Sequence, residues 1–233
     1  MSADMFNTPT LSGYRPLISQ GGYLFMKVLV IGANGQIGRQ AVEKLKEKGH
    51  DPVAMVRKEE QTKQFREKGI DTVLADLEKD FSHAFEGVDT VVFAAGSGGD
   101  TGADMTIIID QEGAIESMEH ARNAGVEHYV IVSSMGADAP KSYDDMKHYL
   151  YAKHRADEHL KASGLDYTII RPGMLENDAG TGKVSLSEEN QEFGSVQRED
   201  VAAVIAQAVD ANKAENKVYT LLEGDTPIED LFK

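Results

Sequence analysis

Residues 26–38 read MKVLVIGANGQIG, and this stretch decides the fold. Val28, Leu29, Val30 and Ile31 form a β-branched and aliphatic run that stops at Gly32. Gly35 and Gly38 follow. From Gln36 to Lys48 the apolar residues Ile37, Ala41, Val42 and Leu45 fall at helical spacing, and Gly49 supplies the stop. The pattern is strand, glycine turn, helix. Such a turn brings backbone N–H groups and a helix N-terminus up to a pyrophosphate with no side chain in the way. Three spaced glycines are a weak signal alone, and the flanking strand and helix strengthen it. Gly32, Asn34, Gly35, Gln36, Ile37 and Gly38 are the candidate cofactor-binding residues of this turn.

Working outward, residues 52–56 read as a second strand with Arg57 and Lys58 at its end, 19 and 20 residues beyond Gly38. At this place a dinucleotide fold selects its cofactor: a carboxylate bonds the ribose 2′-hydroxyl, whereas an arginine accommodates a 2′-phosphate. No carboxylate stands nearby until Glu59, so the expectation is NADP, with NAD the alternative. The plainer reading makes Arg57 and Lys58 solvated residues at the start of a helix over 59–68. Residues 72–75 form a third strand tipped by Asp76 and Leu77. Asp76 can accept from an adenine amino group and Leu77 can lie on the ring; equally, Asp76 can cap a short helix over 79–85.

Residues 89–94 are a buried fourth strand running into Ala94, Ala95 and Gly96, small residues that let the backbone approach a ligand. Residues 97–106 read as a loop that borders the pocket or is simply mobile. Residues 107–124 are predicted helical, 129–132 a fifth strand opening onto Ser133 and Ser134, 145–163 a helix, and 166–170 a sixth strand. Strands and helices alternate with short connections. That rhythm predicts an α/β, doubly wound Rossmann fold with a mostly parallel sheet of about seven strands. Ligands in such sheets lie beyond the carboxyl ends of the strands, where every segment singled out here falls. After the sixth strand, 183–186 and 194–197 are expected to pair as a hairpin in a small substrate lobe. A helix over 198–211, a strand over 218–222 and a short helix over 227–232 complete the chain.

Tyr149 and Lys153 are four apart on the helix over 145–163, which puts both on one face. An ammonium close to a phenol favours the phenolate, and a phenol so tuned can pass a proton to or from a carbonyl or hydroxyl oxygen. A serine from the tip of the fifth strand could bind and polarise the same oxygen. Such a pair is common by chance on an amphipathic helix, and its weight comes from its surroundings.

Those surroundings are GANGQIG at 32–38, DL at 76–77, AAG at 94–96, VSSMGAD at 132–138, YLYAK at 149–153, SGLDYTIIRPGML at 163–175 and RED at 198–200. With them the chain resembles the short-chain dehydrogenase/reductase superfamily, in its atypical, NmrA-like and epimerase/dehydratase-like branch, from Met26 to about Leu222. The resemblance implies that the glycine turn binds the pyrophosphate, that Tyr149 is the acid/base, and that Lys153 also bonds the nicotinamide ribose. It implies that Ser134 takes the substrate oxygen, with Ser133 on the cofactor side. Arg171, Pro172 and Gly173 would pass beside the nicotinamide, continued by Met174 and Leu175. Two departures stand out. Ala33 occupies the place of a glycine in G-x-G-x-x-G, giving the spacing of the extended and atypical branches, and AAGSGG replaces the usual asparagine-rich motif after the fourth strand.

The 233 residues carry 24 basic and 39 acidic side chains, a formal charge of −15. That balance argues against nucleic acid or an anionic membrane as the main partner. There is no cysteine, so thiolate chemistry is excluded, and no apolar run approaches the ~20 residues that span a bilayer. None of the seven histidines is spaced as a metal pair, and His148, His154 and His159 read as ordinary polar residues. A cytoplasmic location is expected. Residues 1–25, rich in Ser, Thr, Pro and Gly, read as a leader or N-terminal extension, native or introduced by cloning; residues 26–233 read as one NAD(P)-binding domain. Tyr23, Leu24 and Phe25 could pack beside the first strand. The functional expectation is an NADP(H)-dependent oxidoreductase acting on a small carbonyl-like or flavin-like substrate. A non-catalytic NADP(H) sensor with a protein partner is the first alternative and a sugar epimerase or dehydratase the second, which the short lobe disfavours.

Overall fold

The computed structural model describes residues 25–98, 101–189, 191–211 and 214–233. The leader expected over 1–25 lies outside them except for Phe25, which is exposed. In chain order the strands are β1 (Lys27–Ile31), β2 (Asp51–Val56), β3 (Asp71–Leu74), β4 (Thr90–Phe93), β5 (His128–Val132), β6 (Asp166–Pro172), β7 (Met174–Glu176), β8 (Lys183–Ser187), β9 (Ser195–Gln197), β10 (Lys217–Glu223) and β11 (Thr226–Pro227). The helices are α1 (Gln36–Glu47), α2 (Lys63–Arg66), α3 (Ala103–Met105), α4 (Ala114–Ala124), α5 (Lys147–Ala162) and α6 (Arg198–Val209).

Strands β3, β2, β1, β4, β5, β6 and β10 lie side by side in that order, all parallel. Chain order reverses between β1 and β4, which opens a crevice at the carboxyl edge between them. Alternate residues of each strand feed two cores. Val28, Val30, Val130 and Val132 face α1 and α6 with Ala41, Val42, Leu45, Val201 and Ile205. Leu29, Ile31, Val91, Phe93 and Ile131 face α4 and α5 with Met118, Ala121, Ala156 and Leu160. A strand covered on both sides loses the polar alternation of a half-exposed one, hence the continuous apolar runs of β1, β4 and β5.

The expected sheet of about seven strands corresponds to the parallel part; two further strands, β8 and β11, joined through antiparallel pairings, extend it to nine. The hairpin expected between 183–186 and 194–197 does not form. β8 pairs antiparallel with β10 and β11, while β9 pairs parallel with β7 in a separate two-stranded sheet. The chain reverses after β10 at Gly224, where a Cβ would meet the backbone of Val184 and Ser185; this close approach gives β8 a better partner than β9. The lobe after the sixth strand is therefore partly absorbed into the main sheet.

Local differences have local causes. The helix expected over 59–68 is a 3₁₀ turn at Glu59–Gln61 followed by the four-residue α2. That over 79–85 shrinks to a 3₁₀ turn, Ser82–Phe85, whose Ser82 N–H is taken by Asp80 Oδ1 at 2.9 Å. Asp76 caps no helix: its Oδ1 accepts from the Glu78 N–H at 3.2 Å in a local turn. The helix expected over 107–124 begins earlier, at α3, and runs through a π segment, Thr106–Gly113, before α4. The terminal helix expected over 227–232 is β11 and a 3₁₀ turn, Ile228–Asp230.

Candidate active site

The glycine turn is shaped by contacts that only glycine permits. Gly32 has φ +84°, and a Cβ there would meet the backbone of Ala94 and Ala95. A Cβ on Gly38 would meet the Gly32 carbonyl. The turn is thus clamped between the end of β4 and the first turn of α1. Helix α1 starts at Gly35 with no side-chain cap and no acidic residue in its first turn. Its leading N–H groups are left for an anion, and the positive end of the helix favours one. These residues fit a dinucleotide pyrophosphate.

A cleft of about 360 Å³ opens from this turn over the ends of β1, β2 and β3, bordered by Gly32, Asn34, Gly35, Met55, Val56, Arg57, Ala75 and Leu77. A second space of about 470 Å³ continues it on the other side of β4, bordered by Ile37, Thr106, Asp110, Ser133, His148, Tyr149, Lys153 and Leu175. Ala94, Ala95, Gly96 and Ser97 border both, so the two are halves of one trough. A long ligand with two ring systems joined by an anionic bridge matches this outline: bridge at the glycine turn, one ring at each end.

Several expected residues lie elsewhere. Gln36 is exposed on the outer side of α1, beside Arg198. Lys58 is exposed, and its backbone N–H goes to Gln61 Oε1 at 3.1 Å. Asp76, Pro172, Gly173 and Met174 border neither half. Gly173 has a packing reason instead, since a Cβ there would meet the Gly194 carbonyl and Leu222. The Ser134 hydroxyl donates to the Met135 carbonyl at 3.2 Å, and Ser134 is not in the lining.

At the far end, Tyr149, Lys153 and Asp157 follow one another at four-residue spacing on α5, each side chain placed by the buried Leu150, Ala152, Ala156 and Leu160 beside it. The Lys153 ammonium lies 5.7 Å from the Tyr149 ring centroid. Its side chain is 4% exposed, its Nζ sits 3.1 Å from Asp110 Oδ1, and it donates to the Val132 carbonyl at 3.2 Å. Burial opposes the charged ammonium, but Tyr149 and Asp110 outweigh it and hold the lysine above its ordinary 10.5. Behind it, Asp157 Oδ2 accepts from the Ser133 hydroxyl at 2.9 Å and from Arg171 Nε at 3.0 Å. Burial pushes the Asp157 carboxyl above its ordinary 3.8, with Arg171 and Ser133 pulling against that rise. The Ser133 proton is therefore committed to Asp157, and towards any further partner its oxygen is left as an acceptor.

Asp110 and Asp157 are site residues that sequence reasoning passed over, and it read His148 as an ordinary polar residue. Asp110 follows three isoleucines inside a predicted helix; a lone carboxylate at the end of such a run was the available signal. His148 is exposed and borders the trough beside Tyr149. Among the described residues no group of three or more His, Cys, Asp or Glu is placed to hold a metal. Also among them, no helix is long and apolar enough to cross a membrane.

The fold and trough define a dinucleotide-binding α/β protein of the oxidoreductase kind. Comparison with known proteins specifies it: the chain belongs to the NAD(P)H-binding family, whose profile matches residues 32–212. It is 44% identical over 213 residues to a Bacillus subtilis protein named as an uncharacterised sugar epimerase, YhfK, covering 89% of this chain and 99% of that one. A solved Bacillus halodurans structure, named for the NAD-dependent epimerase/dehydratases, superposes with TM-score 0.87 at 51% identity, over 89% of this chain and 98% of its own. The oxidoreductase ylbE from Lactococcus lactis superposes with TM-score 0.80 at 28% identity, over 89% and 95%. The homologues and neighbours are thus NAD(P)-dependent oxidoreductases and epimerase-like proteins.

Proposed function

We propose that this protein is an NADP(H)-dependent oxidoreductase of the atypical short-chain type, acting on a small carbonyl-like or flavin-like acceptor. The observation that carries the reading is the meeting of Tyr149 and Lys153 in the trough that begins at the glycine turn. Gly32, Gly35 and the first turn of α1 would hold the pyrophosphate, Leu77 and Val56 the adenine end, and Ser133 and Lys153 the nicotinamide end. When bound, the reduced nicotinamide supplies a hydride. Tyr149 gives a proton to the acceptor oxygen, and Lys153 supplies the positive charge that eases loss of that proton. Ser134 would orient the acceptor once its hydroxyl leaves the Met135 carbonyl.

Preference for NADP rests on Arg57. It borders the adenine end of the trough, where no described carboxylate does, and its guanidinium has no partner among the described residues. A guanidinium left unpaired beside a ribose site suits a 2′-phosphate. The epimerase reading follows the names of two relatives, but an insertion of about twenty residues, part of it drawn into the main sheet as β8, encloses little space for a nucleotide sugar. We place the protein in the cytoplasm on the same reading.

The test is a screen of aldehydes, ketones, quinones and flavins with NADPH, followed by Tyr149→Phe on any acceptor that turns over. Loss of turnover with NADPH binding retained is expected. Activity surviving Tyr149→Phe would refute the proton-donor role, and cofactor binding with no acceptor reduced would favour the sensor.

A further inference from the structure

We infer that a subsite beside the Tyr149 half of the trough takes an acidic group of the acceptor, a phosphate or a carboxylate, between Arg39 and Arg198. This rests on the reading of the trough as an NADP(H) site with an acceptor at its Tyr149 end. A space of about 390 Å³ lies between the start of α1, the start of α6 and the stretch after β7. It is bordered by Gln36, Arg39, Gln40, Asn177, Arg198 and Glu199. No residue borders both this space and the trough, yet the two are neighbours. Gln36 precedes Ile37, Asn177 follows closely on Leu175, and Ile37 and Leu175 border the Tyr149 half.

The donors are held in place and uncommitted. Arg198 Nη1 donates to the Leu175 carbonyl at 3.0 Å and to Asn177 Oδ1 at 2.8 Å. That uses both hydrogens of one nitrogen, and because the guanidinium is planar the other donors are fixed in direction. Nε and Nη2 remain, the parallel pair that meets two oxygens of a carboxylate or phosphate at once. They have no partner among the described residues. Arg39 Nη2 donates to the Asn34 carbonyl at 3.1 Å and approaches Asn34 Oδ1 at 3.4 Å, which leaves Nε and Nη1 in the same state. Each arginine is thus fastened to a residue of the trough, Arg39 to Asn34 and Arg198 to Leu175, with donors to spare.

The charges around the space favour an anion. In a chain of formal charge −15, Arg66, Arg122 and Arg171 each pair with a carboxylate. Arg39 and Arg198 pair with none among the described residues, although two carboxylates border the same space. Glu199 is committed elsewhere: its Oε2 accepts the Gly180 N–H at 2.9 Å and its Oε1 lies 3.5 Å from Lys44 Nζ. Asp178 is exposed and bridges to neither arginine. Gln40 adds a further polar group, since its Oε1 is buried with no hydrogen-bond partner among the described residues. Exchanging the two ends of that amide would present an N–H instead. Two unpaired guanidiniums on an otherwise acidic protein make a local positive site that selects its ligand at short range. An acceptor whose ring lies at Tyr149 and whose acidic tail passes Leu175 is then held at two points, and its neutral analogue at one.

The experiment has two arms, both on protein saturated with NADP⁺ so that the trough's own phosphate contacts are filled. In the first, inorganic phosphate is titrated and the Nε shifts of Arg39 and Arg198 are followed by ¹⁵N NMR, each assigned through its absence from Arg39→Gln or Arg198→Gln. A saturable shift of both is expected, weakened about tenfold or more by Arg198→Gln. Asp178→Asn, a change at an exposed and unpaired side chain, should tighten phosphate by about two- to fivefold. In the second arm riboflavin is compared with riboflavin 5′-phosphate, the same ring with and without the acidic group, by flavin fluorescence. The phosphorylated form should bind about tenfold or more tightly. Arg198→Gln should cut that ratio to within about twofold while leaving riboflavin itself unchanged, and Asp178→Asn should widen it. If Arg198→Gln does not fold, Arg39→Gln and Asp178→Asn carry both arms.

An unsaturable or absent phosphate shift overturns the proposal. So does a shift present in the free protein and abolished by NADP⁺, which would give the two arginines to the cofactor's own phosphates. Phosphate binding without an advantage for the phosphorylated flavin, or with neither flavin bound, makes this a site for a free anion and overturns the link to the acceptor. A native protein that bound neither NADPH nor NADH would remove the functional reading; NADPH binding with no phosphate shift would remove this inference alone.

Discussion

The two ends of the trough are built from different materials. The glycine-turn end is backbone: Gly32 pressed on Ala94 and Ala95, Gly38 pressed on Gly32, and an uncapped helix start. The Tyr149 end is side chains in a chain of buried charges, Ser97 to Asp110 to Lys153, and Ser133 to Asp157 to Arg171. A backbone site recognises a feature common to all dinucleotides and tolerates no added atoms. A side-chain site is tuned by charge and can be altered one group at a time. Binding and chemistry should therefore fail separately.

The sharpest break is expected at the chemical end. Tyr149→Phe should lower turnover by about 10²–10⁴-fold and leave the NADPH dissociation constant within about twofold, since a ring of the same shape remains; steady-state kinetics with fluorescence titration checks both. At the backbone end, Gly32→Val should abolish binding of NADPH and NADH alike. A β-branched residue at φ +84° pressed on the Ala94–Ala95 backbone must displace the turn, at a strain of several kcal/mol. Titration calorimetry reads this, and equal loss for both cofactors is the signature. Arg57→Ala tests the adenine side of the glycine-turn end: NADPH should weaken by about 10–100-fold, the worth of a charge-assisted contact, and NADH by less than about twofold. Equal effects would show that Arg57 is not the 2′-phosphate site.

The smallest effect serves as a control on stability. His128, at the start of β5, donates from Nε2 to Thr168 Oγ1 at 2.9 Å, and the Thr168 hydroxyl passes its own proton to the Ala214 carbonyl. Burial pushes the imidazole down to about 4, with Asp166 opposing. The unfolded chain then binds a proton below the ordinary 6.5 that the folded protein refuses, so stability is present above that pH and is lost as pH falls towards 4. Between pH 7 and pH 5 the loss should be about 2 kcal/mol, seen as a falling Tm in differential scanning calorimetry and reduced in His128→Gln. Because His128 borders neither half of the trough, acid inactivation that tracks this Tm is unfolding rather than chemistry.

Much of the glycine-turn end was legible in the chain because its determinants are local. Gly32, Arg57 and Leu77 follow the ends of strands and Gly35 and Ile37 open α1, places that can be read from apolar runs and their breaks. The charged end was legible only in part. Tyr149 and Lys153 are one helical turn apart, so their shared face follows from spacing. Asp110 is 43 residues from Lys153 along the chain, and no spacing rule links them. Its inward turn also depends on the π segment, whereas a helical pattern at 3.6 residues per turn assigns it another direction. The edge of the sheet was misread for a related reason. β8 and β9 are short and polar, so their partners were decided by which strands lay within reach.

The sequence by itself determined the alternation of strands and helices, hence the parallel sheet, and the glycine turn at its carboxyl edge. These follow from apolar periodicity and from the absence of a Cβ, properties carried by each residue wherever it goes. Only the tertiary structure decided which charges face one another: Asp110 with Lys153, Asp157 with Arg171 and Ser133. Burial strips water from these groups, and the partner each must then find is set by packing across the fold.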